Sequence, residues 1–328
     1  LALVVWTKPR HIISFHRWGV QVSRKRRQKS RAGRGPMEAR RTTRRLFPGW
    51  IAALLLMAVV GGAWVMRPAP ASQASPVSVP SAETSPVLGA GEPAPSGQPV
   101  RRLRVDVVRE LSHERDAYIQ GLVWWNNQLF ESTGREGEST LRRLDPATGS
   151  VLQRVDIPDQ YFGEGLALVD QRLIMLTWRA QRAFVYDRDT FELQDTFRYQ
   201  GEGWGLCFDG DRLIMSDGTD RLEFRDPVTF VPLGEQSVRM EGRPVYELNE
   251  LECVGGAVYA NVWEEDYIVR IDPATGQVTE HIDVTGLLQG ADLIGSEVLN
   301  GIAFDPEAET FYITGKWWPK MFEVRFVE

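Results

Sequence analysis

Apolar and polar residues follow a fixed order along the last two-thirds of the chain: an apolar run, a polar turn, then a second apolar run. The unit returns five times, opened by Gln120-Gly121-Leu122, Glu164-Gly165-Leu166, Trp204-Gly205-Leu206, Asn249-Glu250-Leu251 and Asn300-Gly301-Ile302. Counted through the middle residue, the steps are 44, 40, 45 and 51 residues. A period of about 40–50 residues marks the blades of a β-propeller. In the first repeat, residues 122–125, 128–132, 141–144 and 151–155 read as strands, with Asn126-Asn127 and Asp145-Pro146-Ala147-Thr148-Gly149 as turns. The second turn returns as Asp187-Arg188-Asp189-Thr190, Asp226-Pro227-Val228-Thr229 and Asp272-Pro273-Ala274-Thr275-Gly276. Asp-Pro and Thr-Gly preset turn dihedrals, so each repeat is predicted to be a blade of about four strands. The last repeat ends after three apolar runs, at 302–305, 311–314 and 322–327. Residues 102–111 alternate ahead of the first phrase and are otherwise unplaced; they are predicted to supply the missing strand and remove two sheet edges. The expected fold is all-β: a five-bladed β-propeller whose last blade is closed by the N-terminal strand of the body. No helical period competes with it.

Charge divides the rest of the chain. The net charge of −6 is unevenly spread: residues 1–67 hold 15 Lys and Arg against the single acid Glu38, whereas 101–328 hold 23 bases against 41 acids, a net charge of −18. The acidic body argues against nucleic acid as its partner and mildly for cationic groups such as peptide amino termini; solvated acidic surface is the plainer reading. Residues 1–49 form a basic segment, of which 1–36 read as an over-extended start, because Met37 makes a natural first residue of an export signal. Residues 50–66 are apolar and uncharged, preceded by Arg40, Arg41, Arg44 and Arg45, and read as a signal peptide or signal anchor. Residues 67–100 are a Pro/Ala/Ser-rich linker. The body, 101–328, is then exported to the periplasm or the cell exterior, with membrane contact confined to the apolar run. Cys207 and Cys253 follow the phrases of successive repeats. Equivalent strands of neighbouring blades need not come within bridging distance, so buried free thiols are expected.

The chemistry is expected where the repeats differ. Their heads, Gln120, Glu164, Trp204, Asn249 and Asn300, should gather at one mouth of the channel. The ends of the second strands add Trp178, Asp217, Trp263 and Lys316, with Ser132 or Thr133 in the first repeat. Glu164 is the inner ring's one carboxylate. A mostly apolar pocket with a few convergent polar groups suits a small ligand, although the glycines alone would also serve close backbone approach. The body holds only His113 and His281, in unrelated contexts, which argues against a His-rich zinc site. There is no nucleophile elbow, phosphate loop or dinucleotide fingerprint. Two alternatives stay open at this point: a calcium-dependent propeller lactonase with Glu164, Asn249, Asn300 and Asp217 as ligands, and a non-catalytic peptide-binding propeller.

Longer motifs narrow the choice. Tyr118-Ile119-Gln120-Gly121-Leu122, Tyr161-Phe162-Gly163-Glu164-Gly165, Gly203-Trp204-Gly205-Leu206, Leu248-Asn249-Glu250-Leu251-Glu252, Asn261-Val262-Trp263 and Thr314-Gly315-Lys316-Trp317-Trp318-Pro319-Lys320 occur in order. Over roughly 113–328 the chain resembles the plant- and bacterial-type glutaminyl-peptide cyclotransferases. The resemblance implies conversion of N-terminal glutamine of peptides or proteins to pyroglutamate, with release of ammonia and without catalytic metal. It implies Glu164 as the acid/base, and Gln120, Phe162, Trp178, Trp204, Asn249, Trp263 and Lys316 as the substrate-binding surround; Asn300 and Asp217 are further candidates. Tryptophans are expected to raise the pKa of Glu164 and Lys316 to oppose them; an indole N–H, Gln120, Asn249 or Lys316 would face the oxyanion. Ile119 stands where the family usually has Thr, and Tyr118 where it has Phe; both are expected to tune the pocket. No cofactor is required, a structural calcium in the channel is left open by a plant member, and a monomer is expected.

Overall fold

The structure, a computed structural model, describes residues 99–328; the basic segment, the apolar run at 50–66 and the linker up to 98 lie outside the described residues. Among the described residues no helix is long and apolar enough to cross a membrane.

β1 (Arg101–Ser112) precedes the first repeat, which folds as β2 (Ile119–Trp125), β3 (Gln128–Thr133), β4 (Thr140–Leu144) and β5 (Val151–Asp156). The second repeat gives β6 (Gly163–Val169), β7 (Arg172–Thr177), β8 (Arg182–Asp187) and β9 (Leu193–Arg198), and the third β10 (Leu206–Phe208), β11 (Leu213–Met215), β12 (Arg221–Arg225) and β13 (Pro232–Ser237). Each is a four-stranded sheet in chain order. A hairpin, β14 (Arg239–Met240) and β15 (Arg243–Pro244), leads to β16 (Leu248–Val254), β17 (Ala257–Val262), β18 (Tyr267–Ile271) and β19 (Val278–Asp283). The chain ends with β20 (Leu299–Asp305), β21 (Thr310–Gly315) and β22 (Lys320–Val327). The fold is all-β; a 3-10 turn at Gly290–Leu293 is the helical element among the described residues.

β1 pairs antiparallel with β22, from Arg104 opposite Val327 to Ser112 opposite Lys320, and so supplies the strand the last repeat lacks. It also pairs in parallel with β19, Arg101 opposite Glu280 through Arg104 opposite Asp283, a contact that alternation does not reveal. The fourth and fifth repeats therefore share one eight-stranded sheet. His113, just past β1, ties the seam: its Nε2 lies 2.6 Å from Glu131 Oε2 and its Nδ1 2.9 Å from Trp318 O. Burial works against a charged ring there, but the Glu131 carboxylate outweighs it and raises the His113 pKa.

The Asp-led turns close as their chemistry demands. Asp145 Oδ1 accepts from Ala147 N at 2.9 Å, Asp226 Oδ1 from Thr229 N at 2.7 Å, and Asp272 Oδ1 from Ala274 N at 2.9 Å. Cores lie between neighbouring sheets. Ala167, Ile174 and Val185 of the second repeat pack with Leu206, Leu213 and Phe230 of the third.

The first strands of the repeats form a closed cycle: β2 packs against β6 and β20, β10 against β6 and β16, and β16 against β20. The repeated glycines sit at these contacts. A Cβ on Gly121 would lie 2.5 Å from Leu166 N, one on Gly165 2.6 Å from Leu206 N, and one on Gly205 2.0 Å from Asn249 O. The same closeness overturns the expectation of free thiols. β10 and β16 adjoin at Gly205, and Cys207 and Cys253 stand with Cα atoms 5.5 Å apart, joined by a disulfide, a separation inside the usual bridging range.

Gly205→Ala is expected to cost about 2–3 kcal/mol through overpacking, roughly 5–10 °C in unfolding midpoint for a body of this size. Thermal unfolding checks this, and an unchanged midpoint would show that the strands can part without loss.

Candidate active site

Four of the five heads sit where the ladder is irregular. Register breaks between Ile119 and Gly121, Gly163 and Leu166, Leu248 and Leu251, and Leu299 and Ile302. Such bulges re-aim a side chain that would otherwise join the alternation. Neighbouring repeats then pin the backbone. Ser132 Oγ donates to Glu164 O and Ser216 Oγ to Asn249 O, each at 2.6 Å, and Gly301 N donates to Asn261 Oδ1 at 2.9 Å.

A pocket of about 510 Å³ opens over these heads. Gln120, Glu164, Trp204 and Asn249 line it from the strand heads, Trp178, Trp263 and Lys316 from the residues that follow β7, β17 and β21, and Phe162 from beside Glu164. Tyr118 lines it as well, its hydroxyl donating to Glu297 Oε2 at 3.0 Å. Ile119, expected to tune the pocket, does not: it is fully buried, with its Cδ1 near Gly301, and belongs to the core. Asn300 is fully buried behind Gln120. Asp217 is outside the lining; its Oδ1 accepts from Thr219 N at 3.0 Å and from the Thr219 hydroxyl, closing its own turn. Ser132 is engaged on the Glu164 carbonyl, and Thr133 Oγ1 lies 2.7 Å from Thr140 Oγ1.

Aromatic rings form a collar. Trp317 meets Tyr118 with centroids 4.9 Å apart, Tyr118 meets Phe162 at 6.2 Å, Phe162 meets Trp178 at 5.5 Å, and Trp204 meets Trp263 at 6.0 Å. Glu202 bridges the gap. Its Oε2 accepts from Trp178 Nε1 at 2.6 Å and from Trp204 Nε1 at 3.1 Å, and its Oε1 from Arg179 Nε at 2.8 Å. An indole N–H was one of the donors expected to face an oxyanion, and two of the three pocket indoles are thus already committed. Arg179 also stacks on Trp178 at 3.7 Å. Glu202, Arg179 and Glu247 line the pocket and escape the sequence reading. Their only signal is adjacency: Arg179 follows Trp178, and Glu202 and Glu247 stand two residues before Trp204 and Asn249.

Of the three pocket carboxylates, Glu164 and Glu202 are driven apart, while burial and Glu264 raise the pKa of Glu247. Glu164 is 5 % exposed. Burial pushes its pKa well above the usual carboxylate value; the Lys316 ammonium opposes this and Glu202 adds to it. For Glu202, burial also favours the neutral acid, but hydrogen bonds from Arg179, Trp204 and Trp178 outweigh it and hold the pKa low. Burial lowers the pKa of Lys316, against Glu164 and Glu297; its Nζ lies 4.9 Å over the Tyr118 ring. Gln120 Nε2 donates to Glu164 Oε1 at 3.2 Å.

An all-β body with a deeply buried carboxylate of raised pKa under an aromatic collar defines a protein suited to acid–base chemistry on a small, partly apolar group. The profile of the glutamine cyclotransferase family matches residues 81–326, and the chain belongs to that family. It is 40% identical over 228 residues to the glutaminyl-peptide cyclotransferase of Arabidopsis thaliana, covering 67% of this chain and 71% of that protein. Among solved structures it is similar to the glutaminyl cyclase of Myxococcus xanthus, at 38% identity and a TM-score of 0.63, over 70% of this chain and 99% of that one.

Glu202→Gln removes the charge that both indoles share. The expected result is a KM about tenfold higher, consistent with losing charge-assisted hydrogen bonds, and a shifted tryptophan emission spectrum. A KM and a spectrum both like the wild type's would show that the collar keeps its shape without Glu202.

Proposed function

We propose that the chain cyclises the N-terminal glutamine of peptides and proteins to pyroglutamate, releasing ammonia, and that its sheets are the blades of a five-bladed propeller with the site at one channel mouth. The observation that carries the reaction is Glu164: a buried carboxylate of raised pKa, held by an amide and opposed by a lysine, on the floor of the pocket. The substrate's α-amine nitrogen attacks its own side-chain amide carbon. A C–N bond forms, the carbonyl oxygen becomes an oxyanion, and the bond to the amide nitrogen then breaks to give ammonia. The nucleophile is tethered, so the pocket chiefly has to hold the folded-back conformer, which the walls of Trp178, Trp204, Trp263 and Phe162 suit. Glu164 takes the proton that the amine loses and returns it to the departing nitrogen, so no external acid or base is consumed. With Trp178 and Trp204 turned to Glu202, and Gln120 to Glu164, the oxyanion falls to Lys316, Asn249 or the indole N–H of Trp263. Export through residues 50–66 and a monomeric body belong to the same reading.

A lactonase reading draws less support. Of its four candidate ligands, Asp217 closes its own turn and Asn300 is fully buried, and neither lines the pocket. Lys316 would also repel a cation. A structural calcium finds two partnerless buried oxygens, Asn249 Oδ1 and Asn300 Oδ1, while both oxygens of the channel carboxylate Glu250 accept from backbone N–H groups. Calcium takes about 6–8 oxygens; these side chains alone do not make such a site, and no step is drawn through one.

The test is ammonia release from a Gln-initiated peptide, followed by mass loss. A folded Glu164→Gln variant is expected to lose about 10²–10⁴-fold in kcat; wild-type-like turnover by it would sink the proton-carrier role. Peptide binding without mass loss by the unaltered protein would instead favour a binding module. The base form of Glu164 is needed at the start. Activity is therefore expected to fall as pH drops through its raised pKa, above the ordinary 4.5, and to fall again as Lys316 loses its proton below the ordinary 10.5. A kcat/KM profile measured against pH checks that narrowed bell.

A further inference from the structure

Asn300 heads the fifth inner strand, is fully buried, and lines no part of the pocket. Its Nδ2 lies 3.0 Å from Ile119 O and 3.2 Å from Gln120 Oε1. A main-chain carbonyl only accepts hydrogen bonds, so the Ile119 contact decides which end of the Asn300 amide faces it. The second hydrogen on that nitrogen points at Gln120, where only an oxygen can receive it. The Gln120 amide is thereby turned with Nε2 toward Glu164, reaching Oε1 at 3.2 Å. One carbonyl at the far end thus sets the direction of all three contacts. Asn300 Oδ1, by contrast, has no partner: the donor end of this amide is the one the fold employs.

We propose that Asn300 is a positioning residue for proton transfer, locking Gln120 as a permanent donor to Glu164 Oε1 so that the proton is taken up and returned on Oε2. The proposal rests on Glu164 being the proton carrier. Without Asn300, the Gln120 amide can turn over and present its oxygen to the carboxylate. Lone pairs then face lone pairs, the charged form of Glu164 loses its donor, and its proton is harder to remove. Donation to Oε1 in both protonation states also keeps that oxygen from competing for the proton, leaving one oxygen to serve amine and leaving group in turn.

The experiment compares kcat, KM and the pH profile of kcat/KM for the full chain with a Gln-initiated peptide, alongside the unfolding midpoint. Asn300→Ser keeps a hydroxyl near the Ile119 carbonyl but cannot reach Gln120; Asn300→Leu removes both donations. Each is expected to move the acid limb to higher pH by about half to one unit and to lower kcat about five- to tenfold, with KM within about twofold. Gln120→Met should move the limb likewise, and adding Asn300→Ser to it should move the limb no further, because the asparagine acts through the glutamine. A purely structural Asn300 would change the unfolding midpoint and leave the limb in place. If Asn300→Leu does not fold, the serine variant decides. A limb that stays put in folded Asn300→Ser, or shifts that add in the double variant, would overturn the proposal. Glu164→Gln in the same assay separates the two ideas: retained activity there removes the proton carrier, whereas inactivity there with a wild-type profile in Asn300→Ser removes the relay alone.

Discussion

The first strands of successive repeats can close their cycle of contacts only if nothing stands between them where they touch. At three contacts the obstacle would be a single Cβ, placed 2.0–2.6 Å from backbone atoms of the next strand at Gly205, Gly121 and Gly165. That is far inside contact distance, so a side chain there would push two sheets apart and open the cores between them. The consequence reaches the pocket directly. A strand that approaches its neighbour at a glycine carries its preceding residue to the rim, and the register break at that point turns the side chain off the strand's alternation. Backbone packing and the placing of Gln120 and Glu164 are thus one event seen from two sides.

The electrostatics follow from depth. Glu164 lies under the collar with a single hydrogen-bond donor on its carboxylate, and burial drives it toward the neutral acid. Glu202 is nearer to solvent and receives three donors, so it stays charged. Pairs of titratable groups whose surroundings push their pKa values apart divide their labour accordingly. The outer carboxylate is a fixed anion that holds two indoles and an arginine; the inner one, with its raised pKa, has the setting that the proposed proton carrier requires. Lys316 limits how far the inner shift can go, and is itself pushed toward its neutral form by the same burial.

Much of this was legible in the chain because a repeat fixes equivalence. Once five phrases are aligned, one head at a rim suggests where the others lie, and Gln120, Glu164, Trp204 and Asn249 do line one pocket, whereas the fifth, Asn300, is buried behind Gln120. The completion of the last repeat by β1 was legible for a related reason: one sheet was a strand short, and one alternating segment was spare. Distances across repeats were not legible. The period puts Cys207 and Cys253 just after the phrases of successive repeats, not 5.5 Å apart. Glu202 sits between two glycines, in a stretch that reads as an ordinary turn. Its role comes from the indoles that converge on it, and convergence of that kind is invisible to spacing. Asp217 shows the opposite error: an equivalent position was filled by a residue that prefers to close its own turn.

The phrase that breaks the pattern completes the argument. Glu250 stands where the other copies have glycine, on β16, which touches both β20 and β2. Its carboxylate, 1 % exposed, takes the place of a backbone contact: Oε1 accepts from Leu122 N at 3.2 Å and Oε2 from Ile302 N at 2.8 Å. Burial and the neighbouring Glu252 make its charge costly and raise its pKa, while the two N–H groups it receives work the other way. Those groups belong to residues two positions beyond Gln120 and Asn300. The side chain that replaces the missing glycine therefore ties β2 to β20 two residues along each strand from the Asn300–Gln120 contact. The one irregular repeat thus links the two strands that carry the amide pair, and the departure from five-fold likeness lies next to the contact on which the proposed positioning role of Asn300 depends.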